Sequence, residues 1–206
     1  MQSAARLNYP PGVPHDVHPE QYRNLGQFFG ESFTRYATRP FSVCMERWMS
    51  YGELDTLSQA MGAWLQARGL EPGARVAIML PNIPQFPVTM CGVLRAGFTC
   101  VNVNPLYTAR ELEHQLKDSG ATAIVILENF AATLEQVIDR TAIQHVVVAS
   151  MGDLLGGLFE VGAFLESATF SVRQSRRFQH GRGRRSRQLI FMVGPDAHRE
   201  VELRLG

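Results

Sequence analysis

From Arg75 to Ala149 the chain alternates short, near-continuously apolar runs with amphipathic segments, and few folds accept that pattern. Arg75 to Leu80 (RVAIML), Phe98 to Val103, Thr122 to Leu127 and His145 to Ala149 (HVVVA) read as strands apolar on both faces. Between them, Ile83 to Arg95, Thr108 to Ser119 and Phe130 to Arg140 carry apolar residues at helical spacing. A strand that is apolar on both sides must be covered on both sides. Alternation with helices therefore predicts parallel β-α-β crossovers, part of a doubly wound α/β domain.

The segments before Arg75 read differently. After an extended, Pro-rich arm over residues 1–23, Asn24 to Thr38 places Leu25, Phe28, Phe29, Phe33 and Tyr36 on one helical face, and Pro40 ends the helix. An aromatic face at this spacing resembles an acyl-binding groove less than simple core packing. Phe41 to Glu46 and Arg47 to Tyr51 read as a hairpin, followed by a helix from near Gly52 with Leu54, Leu57, Met61, Trp64 and Leu65 on one side. Gly69-Leu70-Glu71-Pro72-Gly73 is a turn signal.

Composition narrows the classes. A hydrophobic content of 45% in 206 residues is enough for a core. Met1 to Gly12 lacks the apolar stretch of a secretory signal. The most apolar region, Val76 to Val103, is interrupted by Pro81, Asn82, Pro84, Pro87 and Arg95, so no membrane span and a soluble, cytoplasmic protein are expected. Cys44, Cys91 and Cys100 lie in apolar segments without C-x-x-C spacing and read as buried, inert thiols. The six histidines form no ligand cluster, so no metal site is expected. Charge is uneven: residues 1–172 carry eleven basic and sixteen acidic side chains, whereas 173–206 carry nine and three. Every basic residue of that last stretch is arginine, and the whole chain has one lysine, Lys117.

Several blocks then match a known pattern in order and in register. Trp48-Met49-Ser50-Tyr51-Gly52-Glu53-Leu54, Leu57, Trp64-Leu65, the turn Gly69 to Gly73, Arg75-Val76-Ala77 and Leu80-Pro81-Asn82 resemble the opening of adenylate-forming (AMP-binding) enzymes. Ala96-Gly97 and Val101-Asn102-Val103-Asn104-Pro105-Leu106-Tyr107-Thr108-Ala109-Arg110-Glu111-Leu112 continue it, and the last block is similar to bacterial long-chain fatty-acid–CoA ligases in particular. The resemblance runs from about Asn8 to Gly156. It implies substrates (a long-chain fatty acid, ATP and CoA), Mg²⁺, an acyl-adenylate intermediate, and peripheral contact with the inner membrane.

The family's phosphate loop, nucleotide motifs and catalytic lysine lie beyond the matched stretch. Neither Walker-type spacing nor G-x-G-x-x-G occurs here, and Lys117, beside Asp118, reads as a solvated helix charge. The expectation is a partial AMP-binding domain over 24–157, without catalytic, cofactor-binding or metal residues of its own and without acyl-CoA synthesis by this chain alone. Its cut sheet predicts exposed apolar surface and self-association.

The remaining polar groups read as structural. Asn102, Asn104, Pro105 and Tyr107 fall at the carboxyl end of a parallel strand, where α/β sheets bind ligands, but turn chemistry accounts for them. Asn82 reads as a helix N-cap. Asp16, His15 and His18 sit among prolines with nothing to hold them in a catalytic arrangement. Past Leu158 the resemblance stops, and the Arg-rich run over Arg173 to Arg187 predicts a divergent tail over 158–206, mostly disordered, with Leu189 to Val193 as one short strand. A shifted reading frame in a GC-rich gene accounts for that composition. The rival reading is a nucleic-acid-binding or interaction module built on the arginines, against which stand the acidic body and the lack of a recognisable nucleic-acid fold.

Overall fold

The computed structural model describes residues 10–14, 16, 18–152, 154–155 and 188–192. Helix α1 (Leu25–Arg35) opens on Asn24, whose side chain accepts from the Gln27 N–H. It leads into a hairpin of β1 (Pro40–Cys44) and β2 (Arg47–Ser50) and then α2 (Tyr51–Ala67). Beyond these come β3 (Arg75–Met79), α3 (Gln85–Arg95), β4 (Thr99–Asn102), α4 (Ala109–Ser119) and β5 (Ala123–Leu127). The short α5 (Ala131–Glu135), β6 (His145–Ala149) and β7 (Gln188–Met192) complete the order. Pro40 therefore starts the hairpin rather than ending the helix, which closes at Tyr36.

Five strands form one parallel sheet in the order β4-β3-β5-β6-β7. The doubly apolar strands divide their side chains as the sequence requires. Val76, Ile78, Ala123, Val125, Val147 and Ala149 face a core shared with Leu54, Met61 and Leu65 of α2 and Val88 of α3. Ala77, Met79, Ile124, Ile126, Val146 and Val148 face a second core, closed by Leu112 and Leu116 of α4 and Leu134 of α5. The period of two splits one strand between two cores. The tail contributes β7, paired with β6 from His145↔Gln188 to Ala149↔Met192. That strand begins one residue earlier than the sequence suggests. The Arg-rich run and residues 193–206 lie outside the described residues.

Two helices are capped as their sequences dictate. Ser50 and Glu53 form a reciprocal capping box at α2, and Thr108 and Glu111 do the same at α4. Burial pushes the Glu53 pKa up, but the Ser50 N–H and the Arg47 guanidinium outweigh it, so the carboxyl sits below its ordinary value. The helix expected over Phe130 to Arg140 is shorter. Only Ala131–Glu135 is α-helical, flanked by tight 3-10 turns at Glu128–Phe130 and Ile138–Arg140. The N–H of Val137 bonds Leu134 and that of Arg140 bonds Val137. Tightening to three residues per turn lets Leu134, Val137 and Ile138 all reach the second core.

The hairpin turn holds two side-chain-bearing residues, Met45 (φ 46°) and Glu46 (φ 66°), in the left-handed region. Left-handed backbone costs a non-glycine residue roughly 1–2 kcal/mol, and Asn-Gly is the sequence such turns favour. Met45→Asn with Glu46→Gly is expected to stabilise the chain by about 1–2 kcal/mol in urea denaturation. An unchanged midpoint would mean the turn is not strained.

Candidate functional site

In this strand order the chain leaves β3 for β4 on one side, then returns to the other side for β5. The topological switch therefore lies between β3 and β5, and open α/β sheets bind ligands outside the carboxyl ends of the strands at that point. Leu80-Pro81-Asn82 follows β3, Val103 to Tyr107 follows β4, Glu128 follows β5 and Ser150 follows β6.

Asn104 forms an Asx-type turn: its Oδ1 accepts from the Leu106 N–H at 3.0 Å, and its carbonyl from the Tyr107 N–H at 3.1 Å. The Asn102 carbonyl accepts from Gln115 Nε2 at 2.8 Å, tying the end of β4 to α4. The Asn104 side chain shapes the turn, in keeping with its sequence reading, whereas Asn102 takes part through its main-chain carbonyl. Leu106 stands 83% exposed at the tip of that loop. Asn82 does not cap α3: the helix begins two residues beyond the expected Ile83, after Pro84, which caps it without a side-chain bond. Pro84 disfavours helical backbone at Ile83, and this shifts the start.

Three polar side chains that the sequence reading passed over meet beside the carboxyl ends of β5 and β6. Gln85, the first residue of α3, donates from Nε2 to the Ser150 carbonyl at 2.7 Å, and Ser150 Oγ donates to Glu128 Oε1 at 2.6 Å. The chain of bonds links the ends of β5 and β6 to the first turn of α3. Gln85 and Thr89, one helical turn apart, are fully buried, and Gln85 Oε1 and Thr89 Oγ1 have no hydrogen-bond partner among the described residues. Buried polar atoms usually find partners, so these two mark a polar seat under the crevice. One signal was available: Glu128 and Ser150 are each the first polar residue after an apolar strand. The cluster can bind and orient, but it holds no nucleophile beside a base.

The other candidates are scattered. Lys117 Nζ lies 2.6 Å from Glu113 Oε1 on the surface of α4, and Arg140 Nη2 lies 2.7 Å from Glu113 Oε2. The Arg140 guanidinium and then Lys117 hold the Glu113 carboxyl down to about 2. Among the described residues no group of three His, Cys, Asp or Glu is arranged to hold a metal ion, and no helix is long and apolar enough to cross a membrane. In the arm, His18 Nδ1 pairs with Glu20 at 3.1 Å, while His15 lies outside the described residues.

The aromatic face of α1 is only partly core. Phe33 is buried, but Phe28 is 39% exposed, and with Phe41 of the hairpin the rings line an open groove of about 590 Å³ against α2 and α3. The thiols differ as well: Cys91 is buried, and Cys44 and Cys100 are half-buried. Burial pushes Cys91 up to about 11 and Cys100 up to about 12. At pH 8 in the native state, a thiol reagent is expected to modify Cys44 first and the other two only on unfolding. Rapid modification of all three would contradict this packing.

The chain matches the family described as AMP-binding enzyme over residues 29–169. It is 53% identical over 148 residues to a long-chain-fatty-acid–CoA ligase of Escherichia coli O157:H7, covering 71% of this chain and 26% of the relative. The corresponding ligase of Bacillus subtilis is 31% identical over 147 residues, with coverages of 71% and 26%. The chain thus spans about a quarter of the length of these relatives. Among solved structures, a long-chain-fatty-acid–CoA ligase from Archaeoglobus fulgidus aligns with a TM-score of 0.58 at 22% identity, over 79% of this chain and 33% of that one. A luciferase-like enzyme from the mealworm Zophobas morio aligns at 0.61 and 18% identity, over 72% and 38%. At these identities the structural likeness shows a shared fold.

Proposed function

The chain belongs to the AMP-binding enzyme family, and from that membership we propose that it is the sheet-forming portion of a long-chain fatty-acid–CoA ligase. The observation that carries the reading is the 53% identity to the E. coli relative over 148 residues. In the proposed reaction a fatty carboxylate oxygen attacks the α-phosphorus of ATP and releases pyrophosphate. The CoA sulfur then attacks the acyl carbon, releasing AMP and a proton.

The residues here build and orient the site rather than perform those steps. The Gln85–Ser150–Glu128 chain fixes the ends of β5 and β6 relative to the start of α3, and preorganised strand ends are what a ligand-binding crevice of this fold needs. Lys117 is engaged with Glu113 on the surface of α4, remote in role from a phosphate-binding lysine. We therefore expect the 206-residue chain alone to make no oleoyl-CoA from oleate, ATP, Mg²⁺ and CoA. Thioester formation above a no-protein control would overturn that expectation.

The ligase reading itself has a separate test. Residues 24–157, which we take as the domain portion, are placed in the E. coli ligase in exchange for the stretch they match. Retained oleoyl-CoA synthesis supports a shared role, whereas a chimera that melts cooperatively and makes none argues against it. We place the protein in the cytoplasm with peripheral membrane contact. Val43, Met45 and Trp48, all more than half exposed on the hairpin, supply the surface for self-association, which sedimentation velocity would detect.

A further inference from the structure

Gln85 is an expensive residue where it stands. It is the first residue of α3 and fully buried, yet only half of its amide is used: Nε2 donates to the Ser150 carbonyl at 2.7 Å, while Oε1 has no hydrogen-bond partner among the described residues. A buried polar atom left without a partner lowers stability, and methionine would fill nearly the same volume without that penalty. Stability alone therefore does not account for a glutamine here.

What the amide does is join parts of the chain 65 positions apart. Ser150 follows β6 and leads into a turn in which the Leu155 N–H donates to the Gly152 carbonyl at 3.2 Å, with Met151 and Leu154 against the first core. Ser150 Oγ in turn donates to Glu128 Oε1 at 2.6 Å, where a 3-10 turn follows β5. That turn closes with the Ala131 N–H on the Glu128 carbonyl, and its Phe130 touches both cores. One side chain of α3 thus fixes the exits of two neighbouring strands, through a carbonyl and then through a hydroxyl. Its own base is firm, because α3 lies so close to α2 that a Cβ on Gly92 would stand 2.8 Å from the Met61 side chain.

We propose that Gln85 is a positioning residue of the ligase proposed above, and this assignment rests on that reading. It touches no reacting atom. It aligns the β5 and β6 exits that border the crevice, so its loss is read in turnover and not in folding. Misplacing bound groups by about 1 Å costs on the order of a hundredfold in rate. Alignment counts in the transition state more than in the ground state, so kcat falls while KM holds. The fold is spared because the Ser150 carbonyl, on a half-buried residue, can turn to water when the amide is gone.

Gln85→Met is measured in two settings. In the 206-residue chain the variant is expected to melt no lower than the parent, while hydrogen exchange of the Ala131 and Leu155 amides quickens at least about tenfold. In the E. coli ligase carrying residues 24–157, it is expected to lower kcat for oleoyl-CoA at least about tenfold, with KM for oleate, ATP and CoA within about twofold of the parent chimera. Gln85→Asn keeps the amide but is too short for the Ser150 bond, and the same loss of kcat is expected. A melt lowered by more than about 4 °C alongside the lost turnover would make Gln85 a strut of the fold and overturn the proposal. Unchanged exchange, unchanged kcat, or a KM that rises while kcat holds overturns it as well. An inactive parent chimera sinks the ligase reading and this assignment with it, whereas an active parent matched by Gln85→Met sinks this assignment alone.

Discussion

Replacing Gly92 with alanine is expected to lower the melting temperature by roughly 4–8 °C, from a loss of about 2 kcal/mol in a chain of this size. A Cβ built on Gly92 of α3 would lie 2.8 Å from Cβ and Cγ of Met61 and 2.9 Å from the Ser58 carbonyl oxygen, both on α2. Across the same crossing, a Cβ on Gly62 would lie 2.9 Å from the Gly92 carbonyl oxygen. Real Cβ atoms do not come so close, so the helices must separate. Met61 is fully buried and cannot swing aside. Alanine gains about 1 kcal/mol of helix propensity over glycine, and overpacking costs about 1–3 kcal/mol, more where backbone must move. The cost wins because one of the blocking atoms is main chain. Gly30 on α1 provides the matched control: its Cβ would meet nothing within 4 Å, so Gly30→Ala is expected to stabilise by about 0.5–1 kcal/mol. Equal melts for Gly92→Ala and the parent would mean the two helices are not packed this closely.

That crossing also shows where the sequence was readable and where it was not. The strands were plain because both faces of each are apolar, and only a parallel sheet with two covers buries such runs. His145 to Ala149 appears at its expected limits, and the capped starts of α2 and α4 follow from Ser50 with Glu53 and Thr108 with Glu111. Helix ends set by tertiary packing were less legible. Nothing local tells Val137 and Ile138 to leave an α-helix, since the reason is the second core beneath them. Asn82 had the chemistry of a cap, but Pro84 governs where α3 begins. The polar seat was hidden for another reason. Gln85, Glu128 and Ser150 are 65 positions apart at their extremes, and only the strand order brings them together. The aromatic face of α1 had helical spacing in the sequence, and spacing alone does not say which rings a neighbouring hairpin leaves half-covered.

Arg95→Ala is the second substitution with a large expected effect, a loss of about 2–4 kcal/mol, because one guanidinium joins three helices. Its Nη1 donates to Asp55 Oδ1 at 2.5 Å, to the Ser58 hydroxyl at 2.9 Å and to the Asp55 carbonyl at 3.2 Å, all on α2. Its planar head lies 5.4 Å from the ring centroid of Phe33 on α1. With side chains only 20% and 31% exposed, Arg95 and Asp55 are screened less than a surface pair. Removing the arginine leaves Asp55 with an uncompensated charge and Ser58, fully buried, with one bond fewer. Lysine would restore the charge but not the planar stacking on Phe33, so Arg95→Lys should recover only part of the loss. A thermodynamic cycle with Asp55→Asn separates the pair from the packing. A coupling of about 1–3 kcal/mol is expected for residues in direct contact, whereas additive effects within about 0.5 kcal/mol would show that Arg95 acts through its contact with Phe33 rather than through Asp55.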